Sequence, residues 1–388
     1  MLLEYPQKFE EYGAITIFDL VRVLSIDALG FKGFKGVYAL DYSHLEEIAS
    51  KTAIVVPVKN EELFTLEGVL SSIPQLSLVI LVSASARSPV DRYMHETDLA
   101  KIVNSSTKRE IIVIHQKDPA WREALGDTHL EVMLSEEGVR DGKGEGMLLG
   151  VLIAAALGYD YIGFIDSDNY VPGAVHEYSW IYYLGFSFAE SDYSMVRIKW
   201  PFKGKLASSD MYLRRKGRVS MITNSIINYA LSLHKRVETD IVKTANSGEH
   251  ALTTKLALSI KWAGGFAVEA YQIAYLFSAC FLGLKDNECR ILPGRAKILQ
   301  IEARNPHIHA ERGEEHIREM IEQSLAAVYH SRLSTDDVKS MIRKVGEEHG
   351  ITEEPKSPLV YDPYGINTSK VYSKLMAYSN LAKHFESR

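Results

Sequence analysis

The chain has 388 residues, of which 46% are hydrophobic and 24% are charged, and its formal net charge is −6. This composition predicts a globular protein with a large core, and its mild acidity gives no sign of the basic stripe that nucleic-acid binding requires. Because the only cysteines are Cys280 and Cys289, a disulfide scaffold is not expected, and we predict a reducing, cytoplasmic setting.

Residues 1–50 are predicted to form an edge segment with a strand and a helix. From residue 52 onward, apolar runs alternate with helical patterns. The predicted strands are TAIVVPV (52–58), LSLVILVSAS (76–85), REIIVIHQK (109–117) and YIGFIDSD (161–168). Strands that are apolar throughout and separated by helices indicate a mainly parallel sheet with helices on both faces. We assign residues 51–200 to this α/β region, which is of nucleotide-binding type.

The second half of the chain has a different pattern. Long helices are predicted at residues 218–236, 248–263, 314–329 and 335–350, and one further strand is predicted at 295–303. That strand leads into RNPHIH (304–309). We assign residues 201–310, which end just after this motif, to a second region. Residues 311–388 are predicted to be a mostly helical C-terminal region.

The most apolar stretch of the chain is residues 270–284. It is shorter than a membrane span and contains Gln272, so we predict that it belongs to the core. The N-terminus carries acidic residues where a signal peptide would be basic and then apolar. Neither a membrane span nor a targeting segment is expected.

Two aspartates, Asp166 and Asp168, follow the fourth predicted strand. In open α/β sheets the ligand binds beyond the carboxyl ends of the strands, where this pair lies. Carboxylates this close raise each other's pKa unless a cation lies between them, and oxygen ligands suit Mg²⁺ or Mn²⁺. A proton-transfer role and a solvated turn are the alternatives.

Haloacid-dehalogenase-type phosphatases also carry a D-x-D pair. Theirs lies on the first strand and is followed two places on by Thr or Val. Here the pair lies on the fourth strand and is followed by Asn169 and Tyr170, which argues against a phosphatase.

The loop after the first strand, VVPVKNEE (55–62), breaks at Pro57 and then presents Lys59 and Glu61. By itself it could simply end a strand. Together with the later D-x-D pair, it resembles the opening of nucleotide-sugar glycosyltransferases of the A-type fold. Those enzymes bind the base and ribose on this loop.

A third loop, RDGKGEGM (140–147), precedes a predicted helix. Gly142, Gly144 and Gly146 would allow a ligand to approach the backbone, and Lys143 adds a positive charge, which suits phosphates. A flexible loop ending in a glycine cap is the alternative, since the spacing is not that of a Walker A loop.

The histidines of RNPHIH, His307 and His309, are two residues apart, so both face one side of an extended segment. Such a pair beside an arginine is a candidate for binding a metal or a phosphate, although single histidines are commonly structural.

The motifs AIVVPVKNE, LEGVLSSIP, HQKDPA, GKGEGM, YIGFIDSDNYVPGAV, KGRVS, TANSGEHAL and NPHIH together resemble the mannosyl-3-phosphoglycerate synthase family. The resemblance extends from about residue 50 to about residue 316. It implies the A-type (GT-A) fold and transfer of mannose, with retention, from GDP-mannose to 3-phosphoglycerate. The product would be 2-O-(α-D-mannosyl)-3-phosphoglycerate, a precursor of the compatible solute mannosylglycerate.

The resemblance also implies roles for individual residues. Residues 201–310 would bind the acceptor and complete the metal site. The acceptor carries a carboxylate and a phosphate, so its pocket should be cationic. The expected catalytic residues are Asp166, Asp168 and Glu249; the donor-binding residues are Pro57, Lys59, Glu61, Gln116, Lys117, Lys143 and Asp166; the acceptor-binding residues are Arg218, Ser220, Thr223 and Asn224; the metal ligands are Asp168 and His309, with His307 as the alternative histidine. Glu249 has a second interpretation, because an acid at a helix start after Gly248 would also be favoured by the helix dipole.

The expected cofactor is a divalent metal, Mg²⁺ in the first place, with Mn²⁺, Co²⁺ or Zn²⁺ as alternatives. The expected partners are GDP-mannose and 3-phosphoglycerate, without nucleic acid or membrane, and a homodimer is left open. Alternative functions are a related glycosyltransferase that uses another sugar nucleotide or unphosphorylated glycerate, and a sugar-nucleotide-binding protein without catalysis.

Overall fold

The computed structural model describes residues 2–4, 6, 8–19, 21–25, 37–39, 41–200, 203–207, 210–214, 218–309 and 313–387. The strands are β1 (Leu2–Glu4), β2 (Phe9–Tyr12), β3 (Ile15–Phe18), β4 (Val21–Ser25), β5 (Val37–Ala39), β6 (Thr52–Val58), β7 (Leu78–Ser83), β8 (Ile111–His115), β9 (Leu134–Ser135), β10 (Gly138–Val139), β11 (Tyr161–Phe164), β12 (Ser194–Lys199), β13 (Lys203–Ala207), β14 (Asp210–Arg214), β15 (His250–Thr253), β16 (Trp262–Ala263), β17 (Ala296–Glu302), β18 (Val360–Tyr361) and β19 (Lys383–Phe385).

The α-helices are α1 (Tyr42–Ser50), α2 (Leu63–Ser72), α3 (Arg92–Thr107), α4 (Ala120–Leu125), α5 (Lys143–Ala156), α6 (Pro172–Ala189), α7 (Arg218–Lys235), α8 (Thr254–Ser259), α9 (Val268–Phe277), α10 (Glu314–Tyr329), α11 (Asp336–Glu348) and α12 (Thr368–Tyr378).

Thirteen of the described strands form one sheet. Its order is β19-β8-β7-β6-β11-β15-β12-β17-β4-β1-β5, with β3 also paired to β17 and β2 to β3. Strands β6, β7, β8 and β11 are parallel, so their carboxyl ends meet at one edge. The sheet takes strands from all four predicted segments of the chain.

The two faces of β6 explain the layers of the fold. Ala53 and Val55 pack into one hydrophobic core together with α5, whereas Ile54 and Val56 pack into another together with α2 and α6. Because successive side chains of a strand point to opposite faces, an uninterrupted apolar run belongs to a sheet that is buried on both sides. The predicted α/β sheet with helices on both faces is confirmed.

The long helix predicted at residues 248–263 is wrong. Residues 250–253 form β15, which lies between β11 and β12 and pairs antiparallel with both, and only the short helix α8 follows. The hydrogen bonds available on both sides of this gap in the sheet outweigh the local helical pattern. Glu249 therefore precedes a buried strand, and the helix-dipole interpretation of this residue is also wrong.

The N-terminal segment contributes more strands than the single one predicted. Strands β1 and β4 pair at one end of the sheet, and α1 packs against α6. The described strands β4, β1 and β5 form one end of the large sheet. Residues 26–36 lie outside the described part.

The apolar stretch that we predicted to be core lies in the helical segment Gly265–Leu282. This segment is the one described helix that is long and apolar enough to cross a membrane, and 67% of it is buried inside the protein. Its burial agrees with a core helix. At its end, Cys280 forms a disulfide bond with Cys289. The turn after the helix brings together two cysteines that we did not expect to pair.

Candidate active site

A cavity of about 610 Å³ opens at the carboxyl edge of β6, β8 and β11. Most of the residues that we predicted to bind ligands line it. They are Pro57, Lys59, Glu61, Gln116, Lys143, Asp166, Asp168, Ser220, His307 and His309. The parallel strands place these distant positions at one edge, which is where α/β proteins bind ligands.

Lys143 is the cationic centre of this cavity. It is the first residue of α5, and its Nζ lies 2.7 Å from Oδ1 of Asp166 and 2.7 Å from Oε1 of Glu269. Burial alone would lower the pKa of Lys143, but the charges of the two carboxylates and their hydrogen bonds raise it above its ordinary value. The lysine therefore stays positively charged beside Asp166.

The segment before β15 comes close to this ion pair. A β-carbon placed on Gly248 would lie 2.5 Å from Oδ2 of Asp166 and 3.0 Å from Nζ of Lys143. Any side chain at this position would therefore have to displace one or both of these groups.

A buried arginine holds the chain that leads to Gly248. Arg197, on β12, donates from Nε to the carbonyl oxygen of Thr244 at 2.8 Å and from Nη2 to that of Ala245 at 3.0 Å. Its burial lowers the pKa of Arg197 to about 10. These contacts fix the backbone between α7 and β15.

The two histidines lie together, as predicted, with ring centres 4.9 Å apart. Nδ1 of His309 is 4.0 Å from Oδ2 of Asp168, and Nδ1 of His307 is 3.0 Å from Oε1 of Glu249. Burial raises the pKa of Glu249, the neighbouring His307 acts in the opposite direction, and Asp166 adds to the increase. Carboxylates and imidazoles therefore face each other across the site.

This arrangement has the donor atoms for a divalent cation. Ligand atoms of Asp166, Glu249 and His307 lie within 4.8 Å of one another, and Asp168 and His309 form a second pair beside them. Carboxylate oxygens combined with imidazole nitrogens suit Mn²⁺ or Zn²⁺, and the oxygens also suit Mg²⁺. The alternative ligand His307 belongs to the group of three, together with Asp166 and Glu249, whereas the preferred ligands Asp168 and His309 form the separate pair.

Asn60, which lies between the predicted donor-binding residues Lys59 and Glu61, fixes the conformation of the loop after β6. Asn60 has a φ of 59°. Its backbone N–H donates to Oγ of Ser85 at 2.7 Å, and its side-chain oxygen accepts from the N–H of Ala86 at 2.9 Å. Asn60 thus ties the loop of Lys59 and Glu61 to the loop after β7. The sequence placed Asn60 in the same loop as Lys59 and Glu61 but predicted no role for it.

Of the three glycines of RDGKGEGM, Gly142 lines the large cavity, whereas the other two do not. Gly144 and Gly146 lie inside α5, and a β-carbon on Gly144 would come within 2.1 Å of the carbonyl oxygen of Ala263. Gly144 therefore allows α5 to pack against the protein rather than against a ligand. Gln116 donates from Nε2 to the carbonyl oxygen of Gly142 at 3.1 Å. Among the described residues, Lys117 is not part of the cavity wall.

A second cavity, of about 260 Å³, adjoins the first, since Ser220 and Asn246 line both. Lys199 and Lys243 also line it, and their ammonium groups pair with Glu302 and Asp240, respectively. The predicted acceptor residue Asn224 lies in its wall.

The predicted acceptor residues Asn224, Thr223 and Arg218 have side chains that are either bonded to the backbone or not described. The amide of Asn224 is used by the backbone, because Nδ2 donates to the Lys243 carbonyl oxygen and Oδ1 accepts from the N–H of Ala245, both at 2.8 Å. Thr223 is buried, and its hydroxyl donates to the carbonyl oxygen of Val219. Arg218 begins α7, and its side chain lies outside the described part of the structure.

Sequence reasoning missed one wall of the large cavity. Phe266 and residues of α10, including His316 and Gln323, line it, and Oε1 of Gln323 accepts from the N–H of Phe266 at 2.6 Å. α10 reads as an ordinary amphipathic helix, so no local signal marked these positions.

The comparison with known proteins agrees with the motifs. A family model described as mannosyl-3-phosphoglycerate synthase matches residues 5–375. The chain belongs to this family. A mannosyl-3-phosphoglycerate synthase from Aeropyrum pernix is 52% identical over 386 residues, covering 99% of this chain and 100% of the relative. One from Pyrococcus furiosus is 40% identical over 363 residues, covering 92% of each.

Among solved structures, a glucosyl-3-phosphoglycerate synthase from Mycobacterium tuberculosis, in complex with Mn²⁺ and UDP-glucose, is 21% identical. It covers 75% of this chain and 83% of its own, with a TM-score of 0.48. In this member of the mannosyl-3-phosphoglycerate synthase family, all the motifs of the first subsection except LEGVLSSIP contribute residues to the two adjoining cavities.

Proposed function

We propose that this protein transfers mannose from GDP-mannose to 3-phosphoglycerate, with retention of configuration and with a divalent metal. The observation that carries the proposal is the meeting of two cavities at Ser220 and Asn246. One contains the carboxylates, imidazoles and lysine suited to a sugar diphosphate, and the other is lined by two lysines suited to an anionic acceptor. We place this reaction in the cytoplasm.

The donor would occupy the large cavity. Lys59 and Glu61, with Pro57, would line the nucleoside pocket, and Lys143 would face the diphosphate. Asp168 and His309 would hold the metal, for which we favour Mg²⁺. The bound metal would stabilise the negative charge that develops on the departing diphosphate.

The acceptor would occupy the second cavity. Ser220 and the backbone at the start of α7 would bind one anionic group, because the first turn of a helix has unsatisfied N–H groups. Lys199 and Lys243 would supply further positive charge. The buried pair of Glu249 and His307 would hold a proton between Oε1 and Nδ1, close to the sugar.

Product analysis tests the proposal. The protein is incubated with GDP-mannose and 3-phosphoglycerate, with and without EDTA, and the products are identified by mass spectrometry and NMR. We expect α-mannosyl-3-phosphoglycerate only without the chelator. Faster turnover of another sugar nucleotide, or of glycerate, would replace the proposed donor or acceptor, and no transfer with any pair would contradict an enzymatic function.

The two histidines can be separated by metal titration. We expect His309→Ala to raise the metal concentration for half-maximal activity by about 100-fold or more. Loss of a residue that only hydrogen-bonds to a metal ligand typically weakens metal binding by roughly 10- to 100-fold, and loss of a ligand itself should exceed this. His307→Ala should change it little. Titrations at saturating donor and acceptor measure both variants. A larger effect of His307→Ala would assign the metal to the set formed with Asp166 and Glu249.

The acceptor site can be tested at Arg218. We expect Arg218→Ala to raise the KM for 3-phosphoglycerate about 10- to 100-fold, because a lost charge-assisted contact costs roughly 1.5–3 kcal/mol. Arg332, which forms a surface ion pair with Asp286, provides the control variant Arg332→Ala, with no expected change. An equal loss of GDP-mannose affinity in calorimetry would place Arg218 in the donor site instead.

A further inference from the structure

Glu177, on α6, has a buried carboxylate that accepts hydrogen bonds from one short segment of the chain, Arg304 and Asn305. It is 1% exposed. Its Oε1 accepts from the backbone N–H of Arg304 at 2.7 Å, and its Oε2 accepts from the backbone N–H of Asn305 at 2.9 Å and from the side-chain amide of Asn305 at 2.7 Å. Arg304 and Asn305 lie three and two residues before His307, respectively.

The segment needs such a partner because β17 ends at Glu302. The N–H of Ala303 still donates to the carbonyl oxygen of Lys199 at 2.9 Å, whereas the next two N–H groups have left the sheet. The carboxylate of Glu177 is itself buried and requires donors, and hydrogen bonds to a carboxylate are stronger than those between neutral groups. Glu177 therefore fixes the turn that carries the chain from β17 into the active site.

A second contact holds the far side of the same segment. The N–H of Tyr170 donates to the carbonyl oxygen of Ile308 at 2.9 Å. Tyr170 follows the aspartates at the end of β11, and α6 begins at Pro172. The aspartate loop, α6 and the histidine segment are thus joined on both sides of His307.

We propose that Glu177 is the positioning residue of the metal site: through Arg304 and Asn305 it sets the placement of His307 and His309 relative to Asp166 and Asp168. It does so without contacting the cation. The inference rests on the proposed function in one respect, that this site takes a divalent cation.

Two substitutions separate geometry from charge. Glu177→Gln keeps the shape but places an N–H₂ group against an N–H donor, and Glu177→Asp keeps the charge but shortens the side chain. If position matters, both variants should raise the dissociation constant for Mn²⁺, measured by electron paramagnetic resonance with GDP present, about 10- to 100-fold. If only the negative charge mattered, Glu177→Asp would bind Mn²⁺ as tightly as the unsubstituted protein, and the proposal would be wrong.

Asp118→Asn is the matched control. Asp118 is also a buried carboxylate that accepts from a backbone N–H, that of Ala120 at 2.9 Å, and from the hydroxyl of Ser379. We expect it to lower the melting temperature and leave Mn²⁺ affinity unchanged. A loss of stability without loss of Mn²⁺ affinity in the Glu177 variants would show a merely structural role and overturn the proposal.

Asn305→Ala tests the same proposal if the Glu177 variants fail to fold. It removes one hydrogen bond to Glu177 and leaves the carboxylate in place, so a smaller increase in the dissociation constant is expected. Unchanged Mn²⁺ affinity in this variant would contradict the proposal. If the unsubstituted protein bound no Mn²⁺ with GDP present, the proposed metal site itself would fail, which is a different result.

Discussion

Replacing Asp168 with alanine is expected to lower mannosyl transfer about 10³-fold, while the protein melts as before. The reason is that a metal stabilises the transition state by several kcal/mol, and each loss of roughly 1.4 kcal/mol slows a reaction tenfold. Asp168 lies at the cavity wall with its side chain 15% exposed, so the space left by the substitution is open to water and the melting temperature should be retained. Initial rates and thermal melting measure the two effects.

An exposed aspartate provides the control for this variant. Asp192 pairs with Lys255 on the surface, and its side chain is 68% exposed. Since exposed ion pairs contribute little, Asp192→Ala should retain both activity and stability. Normal turnover of the Asp168 variant would mean that this carboxylate does not hold the metal.

The second large effect is expected at a residue without a side chain. Gly248→Ala should lower activity about 10²-fold, because displacing a catalytic group by about 1 Å can cost that much. The new methyl group would push against the carboxylate of Asp166 and the ammonium of Lys143. Both are the ends of side chains that can move, and Gly248 does not adopt a positive φ. The melting temperature should therefore change little, while the rate of transfer falls.

Gly173→Ala is the matched control for a glycine substitution. Gly173 is in the first turn of α6, and a β-carbon there meets no atom within 4 Å. The variant should be as active as the original and about as stable, or more stable by roughly 0.4–1 kcal/mol. If Gly248→Ala kept its activity, the close approach of this backbone to Asp166 would have no catalytic importance.

The sequence determined the parallel part of the sheet because this information is local. The apolar runs of β6, β7, β8 and β11 are too short for helices and too apolar for half-exposed strands. They therefore predicted strands of a sheet that is buried on both faces. Since parallel strands share an edge, the positions of Lys59, Gln116 and Asp168 at one cavity followed from the same patterns. The spacing of His307 and His309 also predicted correctly that they lie together.

The tertiary structure decided what depends on neighbours that are distant in sequence. Residues 250–253 became β15 because β11 and β12 leave unpaired backbone groups on either side of them, and no local pattern announces such a gap. For the same reason Glu249 faces His307, and Gly144 packs against Ala263 instead of a ligand. The contacts of Glu177 with the histidine segment are another example. Arg304 and Asn305 follow Glu177 by 127 and 128 positions in the sequence, respectively, and only tertiary packing brings residues this far apart into contact.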